Sequence, residues 1–328
     1  MKILITGVAG LLGANFSRYL LSKGYEVCGI DDLSGGYAEF VPPEVSFHRL
    51  NLADRAGVEH VFSTEKPDYV FHFAAYAAEG LSPFIRNYNY TNNVLSSANV
   101  TNACVNNGVK KVIFTSSMAV YGTGNPPFTE DQLPTPEDPY GIAKYSVELD
   151  LKLADEMFGL RYNVIRPHNV VGVYQNIWDR YRNVIGIWIR KALAGEPLTV
   201  YGDGTQKRAF SDIKFCMEPF EKLMTSHDGE VFNIGADKYF TINEACDVVL
   251  EVAKELGIEA SKVHLEKRNE VHTAYCDHTK AKNLLGFVDD TDLKQTVKEM
   301  FIWAKDQPAR ELKAMQYEIQ KNMYSYWK

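Results

Sequence analysis

An α/β protein built on a doubly wound parallel sheet, followed by a smaller C-terminal α/β lobe, is the fold class this chain predicts. Three observations carry that expectation. Short apolar runs alternate with stretches of helical period through the first half, and a glycine-rich turn directly follows the first run. The polar clusters fall at the carboxyl ends of the apolar runs, the edge where open parallel sheets bind their ligands.

Residues 2–6 (KILIT) form the first run, followed by Gly7-Val-Ala-Gly10-Leu-Leu-Gly13 and an amphipathic stretch to Lys23 that Gly24 closes. Residues 26–30 give a second run, ending in Asp31-Asp32. Strand, glycine turn, helix, strand and acidic end make a βαβ unit of about 30 residues, the Rossmann dinucleotide-binding arrangement. The glycines let the backbone approach a pyrophosphate, and the helix N-terminus supplies N–H donors and a positive dipole end. Asp31 can accept from ribose hydroxyls. An acid there repels a 2′-phosphate, so NAD is favoured over NADP.

The alternation continues with a strand over 45–50, a helix over 54–62, a strand over 69–75 ending FHFAA, and a long helix over about 91–107. The strand over 111–115 ends in hydroxyl residues, a polar loop follows, and the next helix opens with Tyr140 and Lys144 and stops near Gly159. Those two side chains share a helix face. A phenol beside an ammonium has a lowered pKa, so Tyr140 is a candidate acid/base, with Ser117 as a second hydroxyl for a substrate oxygen. A strand over 162–166 then leads into PHNV.

Beyond Asn169 the pieces are shorter and rich in Arg, Asn, Tyr and Trp (QNIWDRYRN, LTVYGDGTQKRAF), with helices over 243–256 and 293–305. The expected division is 1–168 for the dinucleotide and 169–328 for the substrate, with the segment around 208–236 able to pack back on the first unit. The tail from 308 to 328 reads as one helix packed against the second lobe.

The net charge of −7 argues against a nucleic-acid surface, so an anionic ligand must be met by local donors. No apolar run approaches the ~20 residues that cross a membrane, and the start MKILITG is no secretory signal. The five cysteines are scattered without metal-ligand spacing, which fits core packing in a reducing cytoplasm and no metal.

Taken together, these residues resemble the extended short-chain dehydrogenase/reductase family, and within it nucleotide-sugar epimerases of the UDP-galactose (UDP-glucose) 4-epimerase type. GVAGLLG, IDDLSGG, HFAA, TSSMAVYG with PYGIAK, RPHNVVG, GDGTQKRAF and RNEVHTAYCDHTKA carry the resemblance over nearly the whole chain. It implies that Gly7, Gly10, Leu11, Leu12 and Gly13 cradle the NAD pyrophosphate and that Asp31 and Asp32 meet the adenosine ribose. It places Asn51 and Leu52 at the adenine edge, and Ala74, Ala75, Asn93, Ser116, Pro167 and His168 beside the cofactor. Tyr140 would be the acid/base, Lys144 would lower its pKa and bind the nicotinamide ribose, and Ser117 would bridge to the sugar. Glu79, Met118, Asn169, Val200, Tyr201, Arg208, Arg268 and Ala274 would contact the substrate, a UDP-sugar by resemblance, with Asn169, Arg208 and Arg268 on its diphosphate. The implied reaction oxidises carbon 4, turns the 4-keto sugar over and returns hydride to its other face. A homodimer through the helices over 91–107 and 140–158 is expected.

Four rivals bear on this reading. A 4,6-dehydratase needs an extra acid and base after the catalytic hydroxyl residue, where this chain has Met118 and Ala119. Their inertness also weighs against a decarboxylase, whose relatives place a glutamate in that block. Glu79 is the residue that could substitute as a base; the alternative is that it orders its loop or binds a sugar hydroxyl. A keto-reductase would use NADPH, against Asp31, and a non-catalytic NAD-binding scaffold would not need Tyr140, Lys144 and Ser117. Ala274 is small where bulky residues of the family exclude N-acetylated sugars, while His168, Val171 and Trp178 stand at or beside positions with commoner residues, which leaves room for an uncommon sugar.

Overall fold

The structure is a computed structural model and describes residues 1–268, 270–312 and 314–327. Asn269, in the segment read above as part of the substrate half, and Lys313 and Lys328 of the tail lie outside the described residues.

The first βαβ unit consists of β1 (Lys2–Thr6), α1 (Leu11–Ser22) and β2 (Glu26–Asp31). Two glycines decide how closely it closes. Gly7 has φ +72°, and a Cβ there would lie 2.8 Å from the Ala74 amide nitrogen. A Cβ on Gly13 would lie 2.3 Å from the Gly7 carbonyl oxygen. Any side chain at either point would push β1, α1 and the chain after the fourth strand apart.

The chain continues through β3 (Ser46–Arg49), α2 (Arg55–Glu65), β4 (Tyr69–His72), α3 (Arg86–Tyr90), α4 (Ser96–Asn106) and β5 (Lys111–Thr115). The helix expected over 91–107 starts earlier and is not uniform, because Thr91–Leu95 forms a π-helical turn between α3 and α4. That turn carries Asn93, whose buried amide accepts from Tyr76 N at 3.0 Å and donates to Asn89 Oδ1 at 2.9 Å. Helix α5 (Pro139–Phe158) follows, and its start is well specified. The Asp138 carboxylate accepts from Tyr140 N at 2.8 Å and Gly141 N at 3.0 Å, and Pro139 sits in the first turn. Then come β6 (Arg161–Pro167), β7 (Val170–Val171), α6 (Val184–Leu193), β8 (Leu198–Tyr201), β9 (Lys207–Ala209), β10 (Ser211–Asp212) and α7 (Met217–Lys222). The last elements are β11 (Glu230–Ile234), β12 (Tyr239–Thr241), α8 (Ile242–Glu255), β13 (Lys262–Leu265), β14 (Thr273–Ala274), α9 (Thr279–Leu285) and α10 (Leu293–Lys305).

Seven strands form one parallel sheet in the order β11-β6-β5-β4-β1-β2-β3. The winding reverses between β1 and β4, so the crevice at their carboxyl ends is the topological switch point. Side chains alternate across the sheet: Ile3 and Ile5 pack with Phe16 and Phe220 on one face, whereas Leu4 packs with Val70, Phe114 and Val147 on the other. A separate core around Trp188, Val249 and Phe301 supports the second lobe, whose strands form small sheets. All five cysteines are buried and unpaired. Among the described residues no helix is long and apolar enough to cross a membrane.

The tail departs from expectation. Its described residues form a strap with a short 3₁₀ turn at Ser325–Trp327 and no α-helix. Several of its polar groups are committed to other elements. Glu318 N donates to Phe84 O at 2.9 Å, while the Glu318 carboxylate accepts from Asn87 N at 2.7 Å and Tyr88 N at 2.8 Å.

Candidate active site

At the switch point the Gly7–Gly10 turn opens onto the N-terminus of α1. Gly10 caps that helix without a side-chain acceptor, and no acidic residue occupies its first turn. First-turn amides have no partner inside their helix, so those at Leu11 and Leu12 face a cleft also lined by Gly7 and Gly10. A side-chain-free, N–H-lined turn fits a pyrophosphate. Gly13 does not line the cleft; it serves close packing beneath Gly7. The adjoining cavity is lined by Asp31, Asp32, Asn51, Leu52, Ala74 and Ala75. Asp31 accepts from Ala9 N at 3.0 Å and Leu33 N at 2.8 Å, which orders the turn and leaves acceptor capacity for a hydroxyl. Asn51 is more engaged than expected, donating to Asp32 Oδ2 at 2.7 Å and accepting from Ala53 N at 2.8 Å. Asn93 lines neither cavity and acts behind them on the Tyr76 backbone.

Ser117, Tyr140 and Lys144 come together at the cleft floor. The Ser117 hydroxyl faces the Tyr140 phenol and favours its ionised form, and it accepts from Ala119 N at 3.1 Å. Gly141 permits this meeting, because a Cβ there would lie 2.6 Å from the Ala119 carbonyl oxygen. The electrostatics differ from the expectation. Burial raises the Tyr140 phenol above its ordinary value, with Ser117 pulling it down and Asp138 and Glu79 pushing it up. Lys144 Nζ donates to Thr115 O at 2.7 Å and lies 5.9 Å from the Tyr140 ring centroid. Burial pushes Lys144 itself down to about 7, with Glu148 opposing. Ser116 lines the cleft, and its hydroxyl donates to Glu148, which is paired with Arg166.

Glu79 lies in the cleft wall after β4. Its carboxyl is reachable by water but deeply surrounded by protein, and this lost solvation, with Asp138 nearby, pushes it up to about 7. The turn carrying it is tied to the start of α5: Ser82 Oγ donates to Glu79 O at 2.8 Å and to Asp138 Oδ1 at 3.1 Å, and accepts from Tyr140 N at 3.2 Å. Met118 lines the cleft without a proton-transfer group.

The second half supplies the far wall. Pro167, His168, Asn169, Tyr201, Arg208, Arg268 and Ala274 all line the cleft. His168 is buried, stacks on His278 at 5.0 Å between ring centroids, and is pushed down to about 3 by burial, hence neutral. Asn169 adopts φ +41° and donates to Ala209 O at 3.0 Å. Val200 does not reach the cleft. The alternation of β8 turns Leu198 and Val200 into the second core and leaves Thr199 and Tyr201 on the cleft side. Arg208 is present but occupied, through Glu270 at 3.0 Å and the carbonyls of Val271 at 2.6 Å and His272 at 3.1 Å.

Arg182 escaped the sequence reading. It lines both cavities, pairs with Asp179 at 2.8 Å and lies 4.7 Å from the Tyr76 ring centroid. The QNIWDRYRN cluster signalled cations here, although nothing in it singled out this arginine. The strap residues Tyr324, Tyr326 and Trp327, which also line the cleft, were missed for want of any periodic pattern. Among the described residues no cluster could hold a metal ion.

Residues 3–235 match the model of the "NAD dependent epimerase/dehydratase family". The chain is similar to the UDP-glucose 4-epimerase of Thermotoga maritima solved with UDP-glucose: 32% identity, TM-score 0.87, covering 93% of this chain and 99% of that one. It is similar also to the Thermus thermophilus UDP-glucose 4-epimerase in complex with NAD, at 27% identity and TM-score 0.86 over 93% and 99% of the two chains. Among curated relatives, the UDP-N-acetyl-alpha-D-glucosaminuronate decarboxylase of Bacillus cytotoxicus is 28% identical over 93% of this chain and 98% of its own.

Proposed function

This chain belongs to the NAD dependent epimerase/dehydratase family, with NAD as its cofactor, and from that premise we propose that it is a nucleotide-sugar 4-epimerase. The substrate pair is UDP-glucose and UDP-galactose or their N-acetylated counterparts. The observation that carries the reading is the convergence of Ser117, Tyr140 and Lys144 on one cleft beside a turn whose next residues, Met118 and Ala119, cannot move protons.

Bound NAD supplies a reversible hydride acceptor for carbon 4 of the sugar. Tyr140 takes the proton of the 4-hydroxyl and gives it back, and Ser117 holds the same oxygen throughout. Burial raises Tyr140, so its phenolate, the form that takes the proton, must be favoured by a facing cation: Arg182 pulls in that direction, and Lys144, when protonated, is placed to do the same with its Nζ 5.9 Å from the ring centroid. Lys144 and the Gly7–Gly10 turn hold the cofactor, and Asp31 binds its adenosine ribose. Arg268 holds the diphosphate while the sugar turns. Ala274, buried at the cleft wall, leaves room for an acetamido group. Residues 1–168 hold the cofactor and the remainder the sugar nucleotide, except that β11 returns to the first sheet.

Helix α5 supports a homodimer. Ala143, Val147 and Leu151 face inward, whereas Ile142, Leu149, Leu153 and Met157 form an exposed apolar face, and Leu95, in the π-helical turn before α4, is exposed as well. A two-helix face of this kind suits a second copy. Five unpaired buried thiols suit a reducing cytoplasm.

One observation favours a second reading, dehydration or decarboxylation: the Glu79 carboxyl, pushed up to about 7 in the cleft, is poised as an acid or base. Both readings are separated by incubating the purified protein with UDP-, dTDP-, GDP- and CDP-sugars and following proton NMR. Inversion at carbon 4 supports epimerisation. A 4-keto-6-deoxy or pentose product contradicts it.

A further inference from the structure

Arg208 and Arg268 line the same cleft but are held in opposite ways. The Arg208 charge is offset by Glu270 at 3.0 Å, and its terminal nitrogens are spent on backbone carbonyls. Among the described residues no carboxylate lies within ion-pair distance of Arg268. Aromatic rings surround it instead. Its guanidinium carbon lies 3.5 Å from the Tyr201 ring centroid, 5.2 Å from that of Trp327 and 5.4 Å from that of Tyr326, and its Nε donates to the Tyr326 hydroxyl at 3.2 Å. Ring faces attract and orient a cation without neutralising it. Two of those three rings belong to the C-terminal strap.

The strap is fastened across the cleft. Near its start Arg310 pairs with Glu39 and lies 3.6 Å from the Tyr37 ring centroid, on the loop after β2. Midway, Glu318 accepts the first amides of α3. At its end Trp327 packs at 5.9 Å on Phe84 and 5.5 Å on Tyr181 between ring centroids, and Asn322 and Tyr324 face the cleft. The segment therefore joins the loops after β2 and β4 to the lobe that carries Arg268.

We propose that the strap is part of the substrate site: Tyr326 and Trp327 hold Arg268, which has no carboxylate partner among the described residues, for the diphosphate of the sugar nucleotide and close the cleft over it. Tyr326 and Trp327 are thus positioning residues acting through Arg268. The inference rests on the reading of the substrate as a nucleoside-diphosphate sugar, and binding of UDP alone tests it without turnover.

Titrate the NAD-loaded protein with UDP by calorimetry, for the wild type, Arg268→Ala, the double variant Tyr326→Leu/Trp327→Leu, and Tyr326→Phe/Trp327→Phe. Removing the Arg268 charge or its ring cage should weaken UDP about tenfold or more, whereas the ring-retaining Phe pair should stay within about threefold. NAD content should be unchanged in all. If Arg268→Ala weakens UDP but the Leu pair binds as the wild type does, the strap inference fails and the substrate reading stands. If Arg268→Ala binds UDP as the wild type does, both fail. Should the Leu pair not retain NAD, Glu318→Ala unfastens the strap at a distance from Arg268; weaker UDP binding supports the proposal and unchanged binding overturns it.

Discussion

Lys144 donates to the Thr115 carbonyl at 2.7 Å, which holds its ammonium against the end of β5, behind Tyr140. The pairing joins the catalytic helix to the strand that delivers Ser116 and Ser117, so one buried hydrogen bond registers two parts of the site. Lys144→Met removes that link and the charge together; Tyr140→Phe removes only the hydroxyl. Each should lower kcat by about 10²–10⁴-fold, the usual worth of a positioned acid/base. Tyr140→Phe should keep its bound NAD, measured by release on denaturation, because its ring packing is retained.

Burial of Lys144 also has a consequence for stability. Its folded value of about 7 lies below the ordinary 10.5, so between those limits the unfolded chain binds a proton the native protein lacks. Stability contributed by this site therefore rises with pH across that window, by up to about 1.4 kcal/mol per pH unit. Buried cysteines titrate there with the opposite sign, so the difference between proteins is the readout. Urea unfolding of cofactor-free protein at pH 7.5 and 9.5 should show the wild type gaining stability relative to Lys144→Met. Equal changes in the two would contradict a lysine held down by burial.

Glu79 separates the reactions. If it only orders its loop or touches a sugar hydroxyl, Glu79→Gln should keep carbon-4 epimerisation within about tenfold, an ordinary cost for one neutral hydrogen bond. Were it the base for elimination, the same change would abolish turnover, because the amide cannot accept a proton. Steady-state rates for the variant decide between them.

The first half of the fold and its dinucleotide turn were legible because their signals are local. Gly7 and Gly13 stand where a Cβ would strike backbone, and Asp31 ends an apolar run. The alternation of β8 could have excluded Val200 from the cleft, since Leu198 and Val200 share the buried face. Other features depend on contacts that sequence spacing does not encode. Arg208 is spent on Glu270, 62 positions away, and the strap is fastened by Glu318 to Asn87, 231 positions away. Its aromatic residues follow no helical period because they pack on several different elements. The Lys144–Tyr140 spacing was visible, but not that a strand carbonyl would draw the ammonium aside.

The exposed face of α5 makes a prediction about assembly. Leu153 is 54% exposed and Leu149 48%, on the side of the helix opposite Val147 and Leu151. Leu149→Glu with Leu153→Glu should convert a dimer into a monomer in light scattering coupled to gel filtration, with NAD content retained. A wild type that is monomeric, or a variant that still dimerises, would exclude this face as the interface.

The central claim is carbon-4 epimerisation with hydride returned to the carbon it left. UDP-galactose carrying deuterium at carbon 4 tests it most directly, with the NAD-loaded protein in ordinary water and the product read by NMR. Tyr140 handles only the hydroxyl proton, so the account predicts UDP-glucose that retains deuterium at carbon 4. A product without inversion, or one bearing deuterium at carbon 6 with the loss of water, would contradict it.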